Sequence, residues 1–281
     1  MIMRLRAVLL AGLWLAGAAS GAAADPAQRV VSMNLCTDQL AMLLAAPGQL
    51  ISVSYLARDA RSSAMAEVAQ NFDINHGLAE EIAFLRPDLV LAGRYTTRVT
   101  VDMLQRLGYR VEVFQPENTL DDIRTNLLQM GRALGREAEA ERMAEEMQQT
   151  LLSLREAADD KPGPETAVYY SSGYTAGARS LGHDIVTTAG LQNIAPKLGL
   201  GASGILPLEA LILSDADMVI RGASYQGYSR SEEMLRHPAL ERMLAAPRLT
   251  AETRPEWTCG TPLTLSAIHD LRAAAGLEPL E

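Results

Sequence analysis

The sequence predicts an α/β protein made of two similar lobes, each a parallel sheet flanked by helices, joined by one long α-helix. Three observations predict it. Short β-branched runs alternate with longer helical patterns on both sides of the chain's middle, as in parallel sheets with crossover helices. The alternation stops between Leu120 and Ala158, where no strand-like run occurs. A segment of the first half also repeats in the second without a gap. Residues 80–93 lie over 209–222, matching Glu80, Asp88, Val90 and Gly93 to Glu209, Asp217, Val219 and Gly222.

Each element follows from its local pattern. Arg29 to Met33 reads as a strand, and Cys36 to Ala46 as a helix with Thr37 or Asp38 near its N-cap. Leu50 to Ser54 is a second strand. Glu80 to Leu85 is helical, and Asp88 to Ala92 is a third strand, apolar throughout as strands buried on both faces are. Val99 to Leu107 is a helix ended by Gly108, and Arg110 to Phe114 is the fourth strand. Thr119-Leu120-Asp121-Asp122 resembles a capping box, Gly131 and Gly135 interrupt the helix it opens, and a second helical stretch runs from Arg136 to about Ala158. Lys161-Pro162-Gly163-Pro164 then breaks the chain. Beyond it, Thr166 to Tyr170 and Asp217 to Arg221 read as strands. Asp184 to Ala189, Leu208 to Leu213, Arg236 to Ala245 and Leu263 to Ala275 read as helices. The expected organisation is an export signal over 1–24, one lobe over 25–118, a helical linker over 119–160 and a second lobe over 161–281.

The export signal rests on Arg4 and Arg6, the apolar run Ala7 to Ala19, and Ala22-Ala23-Ala24 before Asp25. That run is shorter than the ~18–20 residues of a spanning helix. No later run is long and apolar enough to span a bilayer, so the mature chain is expected to be soluble in the periplasm. The net charge of −9 implies no basic surface for nucleic acid, and 48% hydrophobic residues exclude a disordered chain.

Glu80 to Ala92 resembles the "E-x-I-x-x-L-x-P-D-L-V" block of periplasmic substrate-binding proteins for cobalamin and ferric siderophores. Thr119 to Arg142 is similar to their linker. Ala189-Gly190-Leu191-Gln192-Asn193 and Leu208-Glu209 look like their second-lobe blocks. The resemblance implies a ligand cleft between the lobes, with capture there and delivery to an ABC importer, a permease dimer with its ATPase. The implied ligand is a metal chelate: cobalamin or another corrinoid first, ferric siderophore or haem second. It also implies a monomer with no intrinsic cofactor and no catalysis, and docking to the permease through Glu80 and Glu209. A metal-ion receptor of related architecture is the alternative.

Ligands of open α/β sheets bind beyond the carboxyl ends of the strands. The residues there are Cys36 and Thr37, Tyr55, Arg94 and Tyr95 in the first half, and Tyr174, Arg221 and Tyr225 in the second. Trp257 and Cys259 lie in a short segment that reads as a lining loop. Tyr95, Tyr174, Tyr225 and Trp257 are expected to face one another across the lobes. Five of the eight tyrosines follow strands in this way, as Tyr228 does, and Trp257 is the only tryptophan beyond the export signal. Rings with few charges suit a large, partly apolar, ring-containing ligand. Among the four histidines, the resemblance sets His76 near the cleft entrance.

No H-E-x-x-H or C-x-x-C occurs, so no metal site is expected. Gly199 to Gly204 matches G-x-G-x-x-G, but no convincing strand precedes it, and it reads as a loop. Cys36 and Cys259 leave three readings open. They can form a disulfide across the cleft if their Cα atoms approach within about 7 Å. They can stand apart as soft donors to the ligand's metal, or be buried for structure alone. A fourth, enzymatic reading makes Cys36 a nucleophile activated at a helix N-terminus, with His76 nearby.

Overall fold

Five parallel strands form the first sheet, in the order β3-β2-β1-β4-β5: β1 (Val30–Ser32), β2 (Leu50–Ser54), β3 (Asp73–Asn75), β4 (Leu89–Gly93) and β5 (Val111–Phe114). Helices α1 (Leu35–Leu44), α2 (Ala79–Leu85) and α3 (Arg98–Arg106) make the crossovers. The second sheet, also parallel, has the order β11-β10-β6-β8: β6 (Glu165–Tyr169), β8 (Gln192–Asn193), β10 (Met218–Arg221) and β11 (Leu249–Glu252). Its helices are α6 (Leu181–Thr188), α7 (Leu208–Leu213), α8 (Pro238–Leu244) and α9 (Thr264–Ala274). This computed structural model describes residues 26–160, 162–223, 229–245 and 248–278. The export signal and Tyr225 lie outside the described residues.

Between the sheets stand α4 (Leu120–Leu134) and α5 (Glu137–Asp160). Thr119 and Asp122 close the capping box that opens α4, and Gly135 ends it in the left-handed conformation. Gly131 lets the two helices meet, for a Cβ there would lie 2.4 Å from the Cβ of Ala140. With 24 residues, α5 is about 36 Å long. Its buried residues Ala140, Ala144, Met147, Leu151 and Leu154 recur at steps of three and four, one apolar stripe along the helix.

That stripe belongs to a core shared by both lobes. Val30, Leu89 and Leu91 of the first sheet and Val168, Met218 and Ile220 of the second all join it, together with Leu127 and Met130 of α4. The alternate residues turn the other way. Val31 and Val90 pack with Ile82 and Leu104 on the outer face of the first sheet, while Ala167, Tyr169 and Val219 pack with Leu211 and Leu240 on that of the second. Period-two alternation with both faces buried explains why the central stretches of these strands are continuously apolar.

The internal repeat has a structural counterpart. In each lobe, the strand after the repeated helix pairs with the lobe's first strand, β4 with β1 and β10 with β6. Asp88 accepts from the backbone N–H groups of Gln28 and Arg29 just before β1. Its repeat equivalent Asp217 accepts from Glu165 N–H at the start of β6.

The structure differs from the sequence reading in several short pieces. The glycine-rich stretch after Gly199 leads into a strand, β9 (Ser203–Ile205), antiparallel to β7 (Tyr174–Ala176). The strands β3, β8 and β11 also went unpredicted. Asn34 rather than Thr37 or Asp38 caps α1, its Oδ1 accepting from the Cys36 N–H. Among the described residues no helix is long and apolar enough to cross a membrane.

Candidate functional site between the lobes

The carboxyl ends of the first sheet open onto a cavity of about 400 Å³ that residues of both lobes line. Asn34, Cys36 and Thr37 reach it from the N-cap and first turn of α1, Arg94 and Tyr95 from beyond β4, and Gln115, Pro116 and Glu117 from beyond β5. Opposite them stand Ser180, Leu181 and Gly182, at the N-terminus of α6, and Trp257 and Thr258 from the loop before α9. A second hollow of about 420 Å³ adjoins it at the carboxyl ends of β6, β10 and β11, lined in part by Tyr170, Tyr174, Gly222, Thr253 and Arg254. Trp257 and Thr258 border both.

The floor on the first-lobe side is a buried polar network. Ser32 Oγ and Thr37 Oγ1 share a hydrogen bond of 2.8 Å, and the Asn75 amide donates to Ser32 O and Ser52 Oγ, both at 2.9 Å. Asp38 accepts from the N–H and Oγ of Ser54. Burial lifts its carboxyl to about 7, against the opposing pull of hydrogen bonds from Ser32 and Ser54. These bonds fix the backbone from which Asn34, Cys36 and Thr37 face the cavity.

Cys36 and Cys259 form a disulfide, with Cα atoms 5.2 Å apart. It ties the N-terminus of α1 to the Trp257 loop. Neither sulfur is a free thiol, which corrects two readings of the sequence: the pair cannot donate as separate thiolates to a metal, and Cys36 is no nucleophile.

The remaining sequence candidates fall in different places. Thr37, Arg94, Tyr95 and Trp257 share the cavity, and Tyr174 lines the adjoining hollow with Trp257. Arg94 lines the cavity and makes no ion pair among the described residues. Tyr55 and His76 instead stack on each other, ring centroids 5.4 Å apart, and the His76 ring also bonds Glu81. Neither is among the residues lining the two cavities, nor is Arg221, which pairs with Glu252. Cys259 is buried behind the wall. Glu80 and Glu209 line neither cavity and stand exposed in the first turns of α2 and α7.

Sequence reasoning missed Gln115 to Glu117 and Ser180 to Gly182. The first group follows a correctly read strand, so the carboxyl-end rule would have found it. The second comes from a helix start, which only the tertiary arrangement brings to the cavity. Glu117 is the one acidic side chain among the lining residues. Burial pushes its carboxyl above the usual carboxylate range, while hydrogen bonds from the Asn126 amide and the Gly260 backbone pull it back. Among the described residues, no three His, Cys, Asp or Glu side chains group as a metal cage.

A family model described as periplasmic binding protein matches residues 30–248. The chain belongs to that family. The vitamin B12-binding protein of Pectobacterium carotovorum subsp. carotovorum (strain PC1) is 29% identical to this periplasmic binding protein over 173 residues, 59% of this chain. The match spans 61% of that relative's length. A heme-binding protein from Pseudomonas aeruginosa superimposes with a TM-score of 0.73 at 20% identity, covering 91% of this chain and 95% of its own. The vitamin B12-binding protein of Vibrio cholerae gives 0.68 at 17% identity, covering 89% and 97%. Another heme-binding protein, also of Vibrio cholerae, gives 0.72 at 20% identity over 88% and 98%. At these identities the likeness to the solved structures is one of fold.

Proposed function

We propose that the protein captures a metal chelate in the cavity between its lobes and hands it to the paired permease subunits of an ABC importer. A cobalamin or other corrinoid is the first choice of ligand, a ferric siderophore or haem the second. It works in the periplasm, as a monomer, once residues 1–24 are removed. The observation that carries this reading is the composition of the cavity wall. Tyr95, Phe114, Leu181 and Trp257 offer rings and apolar surface, while Asn34, Thr37, Gln115 and Arg94 supply single polar groups. Such a wall recognises a large ligand by stacking and a few directed bonds, leaving the metal to its own chelator. The names of the relatives, vitamin B12-binding and heme-binding, point to the same class of ligand.

For docking, the internal repeat supplies a matched pair of surfaces. Glu80 and Glu209 are exposed at equivalent positions, and four residues on come Phe84 and Leu213, 86% and 84% exposed. A large apolar side chain so open to water at both repeat positions suits a two-fold partner that offers a cation beside an apolar pocket twice.

Equilibrium dialysis against cyanocobalamin, haemin, a ferric catecholate, and zinc and manganese salts tests the ligand class. Retention of one chelate at micromolar concentration or below supports it. Retention of a bare cation, with every chelate lost, overturns it in favour of a metal-ion receptor.

A further inference from the structure

Two successive residues of the loop that carries Trp257 are held by the opposite lobe, and by different means. Cys259 is bonded to Cys36 at the start of α1. At Gly260 the Glu117 side chain lies against bare backbone. A Cβ there would stand 2.5 Å from Glu117 Cγ and 2.9 Å from its Cδ, so only glycine admits this approach. Glu117 is itself fixed, because Asn126 of α4 donates both to its carboxylate and, at 2.9 Å, to Gln115 O. On its own lobe the loop is held by Thr264, whose Oγ1 lies 3.1 Å from Glu256 O and 3.2 Å from Cys259 O.

We propose that Glu117 is a positioning residue which, together with the disulfide, clamps residues 257–260 to the first lobe and sets the Trp257 indole in place before a ligand arrives. The clamp deepens the reading of this cavity as the ligand site and rests on it. The two ties are not equivalent. The disulfide holds the tip of one side chain and leaves the loop backbone free to pivot. Glu117 holds the backbone next to that pivot, so its loss frees the indole even with the disulfide intact. A wall ordered in advance spares the ligand the cost of ordering it.

In the chain without residues 1–24, Trp257 is the only tryptophan, so its fluorescence reports the loop directly. The test compares acrylamide quenching of the unliganded protein with that of Glu117→Ala, the disulfide verified by intact mass. The expected result is faster quenching in the variant, with far-UV circular dichroism unchanged. Its affinity for whichever of cyanocobalamin or haemin the parent binds should fall up to about tenfold, the value of one wall side chain ordered in advance. Glu117→Gln, which keeps an oxygen for the Gly260 N–H, should return quenching towards the parent value. Gly260→Ala, which forces the loop off an intact Glu117, should act like Glu117→Ala and serves if that variant does not fold. Unchanged quenching in both Glu117→Ala and Gly260→Ala overturns the clamp. Faster quenching in a protein whose parent binds neither probe would uphold the clamp and count instead against the ligand reading.

Discussion

Trp257 borders the cavity between the lobes and the hollow beside it, so truncating it removes a wall from both. Trp257→Ala should cost about 2 kcal/mol of ligand binding, roughly thirtyfold in Kd, as a buried aromatic anchor does. Tyr55→Ala should change affinity by less than about threefold, since interactions away from the buried centre contribute little and Tyr55 stacks on His76 outside the wall. Isothermal titration of the two variants compares them, and equal losses would contradict the placement of the site. Asp38 gives a second handle. Its folded carboxyl titrates near 7 against an ordinary 3.8, so the folded state holds the proton more tightly than the unfolded. The contribution is therefore fully present below about pH 4 and is lost as pH rises through 7. In urea unfolding, Asp38→Asn should gain on the parent progressively between those values, and a constant difference between the two would rule out this titration. At this scale the sequence was informative only where one rule sufficed. Arg94 and Tyr95 line the cavity as the rule for residues after strands expects, and Trp257 does so from the short segment that reads as a lining loop. Tyr55 and His76 obey the same rule at β2 and β3, yet they meet each other instead of the cavity. Nothing in the local sequence distinguishes the two cases.

At the level of elements, long patterned segments were legible and short ones were not. β4 and the first three residues of β10 are apolar because both of their faces are buried, and the stripe of α5 repeats over most of its length. By contrast, β3 is Asp-Ile-Asn with Ile74 40% exposed, and β11 is Leu-Thr-Ala-Glu at the sheet edge. Edge strands of three or four residues bury too little to impose a period on the sequence. The hairpin of β7 and β9 depends on pairing across nearly thirty residues, which composition does not encode. The joint between α4 and α5 is sharper. Gly131 was read as an interruption of a helix, whereas it lies inside α4 as the contact with Ala140. Gly131→Ala should destabilise the protein by about 1–3 kcal/mol, because the methyl must push apart two helices that the shared core holds together. Thermal unfolding measures it; an unchanged midpoint would mean that the helices separate there without cost.

Across the whole molecule, α4 and α5 join the two sheets through one core, and the disulfide ties the lobes again at the cavity. The sequence disclosed the two halves and the linking helices. It could not choose between a disulfide and two thiols, since that choice turns on a 5.2 Å approach between residues 223 apart. The proposed docking through Glu80 and Glu209 belongs to this scale. The double variant Glu80→Arg, Glu209→Arg should bind ligand as the parent does and lose uptake in cells, because like charges would then meet on the permease. Normal uptake at normal protein level would remove the docking proposal. The central claim, that the cavity between the lobes is where a chelate binds, is tested most directly by titrating the chain without residues 1–24 with cyanocobalamin, haemin and a ferric catecholate while following Trp257 fluorescence. One of these ligands is expected to quench it saturably at one equivalent, and Tyr95→Ala should weaken that same titration. A ligand that binds at one equivalent and leaves Trp257 unquenched would place the site elsewhere and contradict the claim.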